Sequence, residues 1–182
     1  MIEFCGPEDH SFPTRSGALL PSESLERLLE GIAGLMKRSF SVDEATVQML
    51  TQNEVVTVAV WARRSTALWA GARIHLAEAS LLPMRCRNRC VFSGEAPCDG
   101  FIPILDRILR SEGTRCWVCC PLRDDGHLAG TLTLGSAVPG ALAPAEEPYF
   151  RTVTALFEPE LVELGRQTER ELAPIGGAAS GW

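Results

Sequence analysis

The chain has 182 residues, with 17 basic against 23 acidic side chains for a formal net charge of −6, and 46% of it is hydrophobic. A chain of this length buries roughly 70% of its unfolded surface, so one core forms without metal or disulfide staples, and the acidic balance argues against a direct nucleic-acid or anionic-membrane binder, which needs a basic face. No apolar run approaches the ~18 residues of a membrane span, the opening Met1-Ile2-Glu3-Phe4-Cys5 has no signal-peptide core, and seven cysteines, an odd number, read as reduced thiols in the cytoplasm.

Residues 1–21 carry no hydrophobic period, and Pro13, Gly17 and Pro21 interrupt any that starts, which predicts a flexible N-terminal arm. From Ser22 the pattern is helical. Leu25, Leu28, Leu29, Ile32, Leu35 and Met36 line one face, with Ser22 as N-cap and Glu23 and Glu26 in the first turn. Glu44–Thr51 and Val55–Ala62 are β-rich runs that read as a hairpin across Gln52-Asn53-Glu54. Strict alternation in the second run puts Val56, Val58 and Val60 on one face and Thr57, Ala59 and Trp61 on the other, one of them core. Ala70–Leu76 suits a further short strand, Leu81–Phe92 fits helix or loop equally, and Ser93–Gly100 has turn composition.

Pro103 stands where a first helical turn tolerates proline, and Ile102, Leu105, Ile108 and Leu109 give a short stripe that ends before Gly113. Arg115–Leu122 and His127–Ser136 form a second hairpin through Asp124-Asp125-Gly126, residues that accept positive φ. Ala145–Arg170 is the closing helix, with Phe150, Val153, Phe157, Leu161 and Leu164 in a heptad-like stripe and a kink expected at Pro159. Residues 171–182 read as a flexible tail, leaving 22–170 as one domain. The order of helix, hairpin, variable middle, helix, hairpin and long helix suits an α+β fold with helices packed on an antiparallel sheet.

The stretch from Ser111 to Gly126, ending its strand in Pro121-Leu122 and followed by Gly130-Thr131-Leu132-Thr133-Leu134, resembles the C-terminal half of a GAF domain. Asp43-Glu44-Ala45-Thr46-Val47 resembles the entry to that family's first strand, and the likeness spans about residues 22–168. It implies five or six antiparallel strands, terminal helices on one face and a small-molecule pocket on the other, roofed by the variable middle. The implied role is a sensory module, regulatory rather than catalytic. Two branches of the family fit poorly. Gly135-Ser136-Ala137-Val138-Pro139 stands where the cyclic-GMP binders carry their Asn-Lys set, and Asp106–Thr114 holds no cysteine or histidine for a bilin. A thiol-dependent reductase resembling the free methionine sulfoxide enzymes is the catalytic alternative, and a ligand-free dimerisation module the third. No catalytic residue, metal or cofactor is assigned.

The implied pocket lies between the sheet and residues 70–108, with Trp69, Arg73, His75, Cys98 and Cys116 as candidate ligand-binding residues. From Arg63 to Arg115 nine arginines face five acidic residues. That excess suits an anionic ligand, since guanidinium forks pair with carboxylates and phosphates, or else a solvated face with local ion pairs. Cys86 and Cys90 are the redox candidates: on a helix they would share a face, beside Arg85, Arg87 and Arg89, which favour thiolates. Cys116, Cys119 and Cys120 read as shielded strand residues, and Cys116-x-x-Cys119 cannot close on one metal ion because its sulfurs point to opposite faces. The closing stripe exceeds what one sheet face needs, which predicts that the terminal helices also pair two copies of the chain.

Overall fold

A computed structural model describes residues 21–52, 54–64, 68–75, 89–93 and 103–173. The predicted arm up to residue 20, Cys86, Cys98, most of the ambiguous 81–92 segment, the 94–100 turn region and the tail from 174 lie outside the described residues. Helix α1 (Pro21–Met36) buries Leu25, Leu29, Ile32, Ala33 and Met36. It begins one residue before the expected cap, so Ser22 lies inside the first turn, where a proline at position 21 costs no hydrogen bond. Strands β1 (Glu44–Leu50) and β2 (Glu54–Ala62) form the first hairpin. Thr51 closes it: its N–H donates to Glu54 O at 2.9 Å, and Glu54 N–H donates to Thr51 Oγ1 at 3.0 Å.

Two short strands follow, β3 (Arg73–His75) and β4 (Val91–Phe92), then helix α2 (Pro103–Ser111). Gly113, at φ 87°, ends α2: its N–H donates to Arg110 O and that of Thr114 to Leu109 O, a Schellman pair that only a left-handed residue permits cheaply. Strands β5 (Cys116–Asp124) and β6 (His127–Ser136) turn through Asp125 and Gly126, both at positive φ. This is the primed turn expected from their residue types. A short 3₁₀ turn, Pro144–Glu146, leads into α3 (Glu147–Glu171), which continues through Pro159 on its exposed side.

The six strands form one antiparallel sheet in the order β3-β2-β1-β6-β5-β4. Helices α1 and α3 pack on each other and on one face, over Ala45, Val47, Met49, Val118, Cys120, Leu132 and Leu134. Helix α2 lies on the other, where Leu105 and Leu109 belong to one buried apolar cluster with Val55, Ile74, Val91 and Trp117. The Trp117 indole N–H donates to Asp106 Oδ1 at 2.7 Å and ties α2 to the sheet.

Two expectations are corrected here. Strict alternation fails in β2: Val47 pairs with Ala59 but Gln48 with Thr57, so Val58 is an extra residue. This bulge reverses the parity of the strand beyond it. Val56, Ala59 and Trp61 therefore face the helices, with Lys37 Nζ 4.3 Å over the Trp61 ring, while Thr57 and Val60 share the other face. The α3 stripe is also spent on its own sheet. Phe150, Val153 and Leu161 are fully buried and Phe157 and Leu164 half-buried against the same core, so surplus apolar surface on this stripe no longer argues for a dimer.

Candidate ligand site

The face under α2 carries a polar stripe down its centre. From β1 come Glu44, Thr46 and Gln48, from β2 Thr57, and from β6 Thr131 and Thr133, all buried. Antiparallel register sets them in rows: Thr57, Gln48 and Thr131 lie side by side, and Val60, Thr46, Thr133 and Cys119 form the next row. Around the stripe the surface is apolar, made by Val55, Leu68, Ile74, Leu105, Leu109 and Trp117. An apolar frame with a few fixed hydrogen-bonding groups is the usual composition of a small-molecule site.

Most of these polar groups satisfy one another. Gln48 Nε2 donates to Thr57 Oγ1 at 3.4 Å, Thr131 Oγ1 donates to Gln48 Oε1 at 3.3 Å, and the Thr133 hydroxyl donates to Cys119 Sγ at 3.1 Å. Burial pushes the Cys119 thiol up to about 12 despite that hydrogen bond, so it stays protonated. Two atoms on β1 have no partner: Thr46 Oγ1 and Glu44 Oε1. Being two residues apart on one strand face, they are separated by about 7 Å along the strand. A buried polar atom left unpaired costs about 1–3 kcal/mol, which a bound water or ligand would recover.

Glu44 lies at the end of the stripe, 6% exposed. Its other oxygen accepts from the Thr114 hydroxyl at 3.2 Å. Loss of hydration pushes its carboxyl up to about 7; the Thr114 hydrogen bond pulls the other way and the nearby Glu112 charge adds to the rise. Glu44 opens onto a small cleft of about 30 Å³, lined also by Asp43, Ala62, Arg64, Glu112, Gly113, Thr114 and Ala137. That volume suits a water or two. Asp43 is already engaged, through Arg63 at 3.4 Å and the Ala137 N–H at 2.9 Å.

The described residues among those singled out from the sequence lie elsewhere. In β3 it is Ile74 that enters the apolar frame, so Arg73 and His75 point to the opposite side. Arg73 pairs with Glu54 at 2.8 Å and donates to Leu172 O at 3.2 Å, at the end of α3. Trp69 is 65% exposed. Cys116 belongs to the helix-side core and donates to Val138 O at 3.1 Å, because Trp117 and Cys119 take the stripe face and alternation sends Cys116 away from it. Cys98 lies outside the described residues, so the structure gathers none of Arg73, His75 and Cys116 at the stripe.

Cys90 is also corrected in its surroundings: it is buried, and its neighbour is Cys120. The signal for the stripe was present in the sequence. Glu44, Thr46 and Gln48 alternate with Ala45, Val47 and Met49, as Thr131 and Thr133 do with Leu132 and Leu134, but such alternation ordinarily marks a solvent face.

Among the described residues, a six-stranded antiparallel sheet with α1 and α3 on one face and α2 on the other defines the class. The GAF domain family model matches residues 24–161, and the chain belongs to that family. GAF domains commonly sit in sensor and regulatory proteins. No curated protein matches the sequence. Among solved structures the chain is similar to the GAF domain of a two-component sensor histidine kinase from Bacillus halodurans, at 11% identity and a TM-score of 0.58, over 81% of this chain and 97% of that one. The blue-light absorbing form of the Thermosynechococcus elongatus PixJ GAF domain gives 16%, 0.58, 85% and 92%. A type II free methionine-R-sulfoxide reductase from Thermoplasma acidophilum gives 14%, 0.57, 79% and 96%. At these identities the likeness is one of fold. Among the described residues no helix is long and apolar enough to cross a membrane.

Proposed function

We propose that the chain is a small-molecule-sensing regulatory domain that holds its ligand on the stripe under α2 and passes the bound state to α1 and α3 through the sheet. The observation that carries this reading is the pair of buried, unpartnered atoms on one face of β1, Thr46 Oγ1 and Glu44 Oε1. The acidic neighbours Asp43 and Glu112, with Arg64 beside them, and the engagement of Arg73 by Glu54 favour an uncharged, hydrogen-bonding ligand over the anion suggested by the arginine count. Four buried free thiols support a cytoplasmic setting. The reductase alternative has only the shared fold behind it.

Native mass spectrometry of freshly purified protein, followed by a thermal-shift screen of neutral metabolites, carboxylates and phosphates, tests the assignment. Neutral compounds should raise the Tm of the wild type and lose that effect in Thr46→Val, which keeps the side-chain shape and removes the hydroxyl. Stabilisation by anions alone, unchanged in Thr46→Val, would reject the stripe as the site.

Homodimerisation through the terminal helices is part of the same proposal. With the α3 stripe buried, the support that remains is the outward-facing Leu156, 68% exposed, and Leu35 on α1. Leu156→Glu should shift sedimentation at ~50 μM, well above the micromolar range of weak pairs, from dimer to monomer without lowering the Tm. A wild type that is already monomeric there ends the idea. Leu161 is the wrong probe, since it is fully buried and a charge there would unfold the monomer.

A further inference from the structure

On the helix side of the sheet, away from the ligand stripe, two thiols meet. Strand β4 pairs with β5 so that Val91 lies opposite Cys119 and Phe92 opposite Val118. The next rung brings Cys90 opposite Cys120. Their sulfurs are 2.8 Å apart, with Cys90 0% and Cys120 1% exposed. Both are free thiols. The pair is set against the start of α3: the Cys90 N–H donates to Glu147 Oε1 at 2.9 Å. The other described cysteines cannot compete for either sulfur. Cys119 is turned to the opposite face against Thr133, and Cys116 donates to Val138 O four residues back along β5.

We propose that Cys90 and Cys120 are a redox modification site, which a peroxide oxidises to a cross-strand disulfide that fastens β4 to β5 beneath α3. The order of attack follows from position. Cys120 is central in the sheet, flanked by β6 and β4, and burial raises its thiol well above the ordinary range, so it is a poor first nucleophile. Cys90 stands at the end of a two-residue edge strand, the kind of element that opens locally at low cost. Opening exposes Cys90, whose sulfur attacks one peroxide oxygen, cleaving the O–O bond to give a sulfenic acid and water. When β4 closes again, the Cys120 sulfur displaces the sulfenic hydroxyl, which leaves as a second water with the Cys120 proton. Two thiols and one peroxide give one disulfide and two waters, each sulfur losing one electron.

The test is peroxide treatment of the folded full chain at neutral pH, alkylation of remaining thiols under denaturing conditions, and peptide mass mapping. The expected product is a peptide pair joined through Cys90 and Cys120, two hydrogens lighter than its thiols and reversed by dithiothreitol. Its formation should slow hydrogen exchange across Val91–Ser93 and raise the Tm by several degrees. In Cys120→Ala, Cys90 should accumulate as a sulfenic acid that a 1,3-diketone traps. Oxidation confined to Cys5, Cys86 or Cys98, with Cys90 and Cys120 still alkylated as thiols in the wild type, would overturn the proposal, as would a crosslink that forms only after unfolding in denaturant. Ligand stabilisation in the metabolite screen is read separately, so either idea can fail without the other.

Discussion

Glu44→Gln is expected to stabilise the protein at pH 8 and to leave it unchanged or weaker at pH 4.5. The carboxyl has its folded value raised from 4.5 to about 7, so between those two values the native state holds a proton that the unfolded chain has released. Stability from this group is therefore fully present below pH 4.5, falls by about 1.4 kcal/mol per pH unit on the way to 7, and is level above. Across the interval the loss is about 3 kcal/mol. Glutamine keeps an acceptor for the Thr114 hydroxyl but cannot ionise, so at pH 8 it should recover up to that amount. For a domain of this size that is about 6–12 °C in Tm.

The groups facing Glu44 are Asp43, Glu112, Arg64 and Thr114. All are present in both proteins, so the difference between the two pH–stability curves isolates Glu44. Parallel curves would show that Glu44 ionises as a solvated carboxylate does. A ligand that donates a hydrogen bond to Glu44 should bind with a pH dependence centred near 7, and that dependence should vanish in the glutamine variant.

Gly130→Ala should be the most damaging small substitution in the sheet. Gly130 sits in β6 opposite Met49, between β1 and β5, and a methyl group there would be driven into the backbone carbonyl oxygen of Gln48. Neither central strand can retreat without breaking its ladder on the other side, so a cost of about 3 kcal/mol or more follows. Gly165→Ala on α3 is the control. Its new methyl meets Met49 Sδ at 2.6 Å, part of a flexible side chain that can turn aside, and alanine gains helix propensity over glycine. The expected loss there is below about 1.5 kcal/mol. Urea unfolding of both variants reads the contrast, and equal midpoints would contradict it.

Local chemistry made much of the architecture legible. Asp125-Gly126 dictates its turn because both residues accept positive φ, Gly113 ends α2 for the same reason, and the α1 stripe reports its buried face through a 3.6-residue period. Those signals act over a few residues, which is why the element order, the α+β class and the likeness to a sensory family could be read directly. Side-chain parity in β2 could not. Its bulge depends on which residue of β1 lies opposite, and one extra residue turns every later side chain over.

The site itself was hidden by a related limit. Alternation tells which strand residues share a side but not whether the second side is covered. Glu44, Thr46, Gln48, Thr131 and Thr133 therefore resemble a solvent face until the folded structure shows them buried. Arg73 and His75 were drawn toward the pocket by charge and position in the chain, whereas the pairing of β3 with β2 turns Ile74 inward in their place. The meeting of Cys90 with Cys120 rests on the register of a two-residue strand against a partner thirty residues away. Composition and periodicity thus determined the elements and their order, because those follow from each residue and its near neighbours. Tertiary structure alone decided which polar atoms are buried without partners and which sulfurs touch, because both depend on chain segments that are distant in sequence.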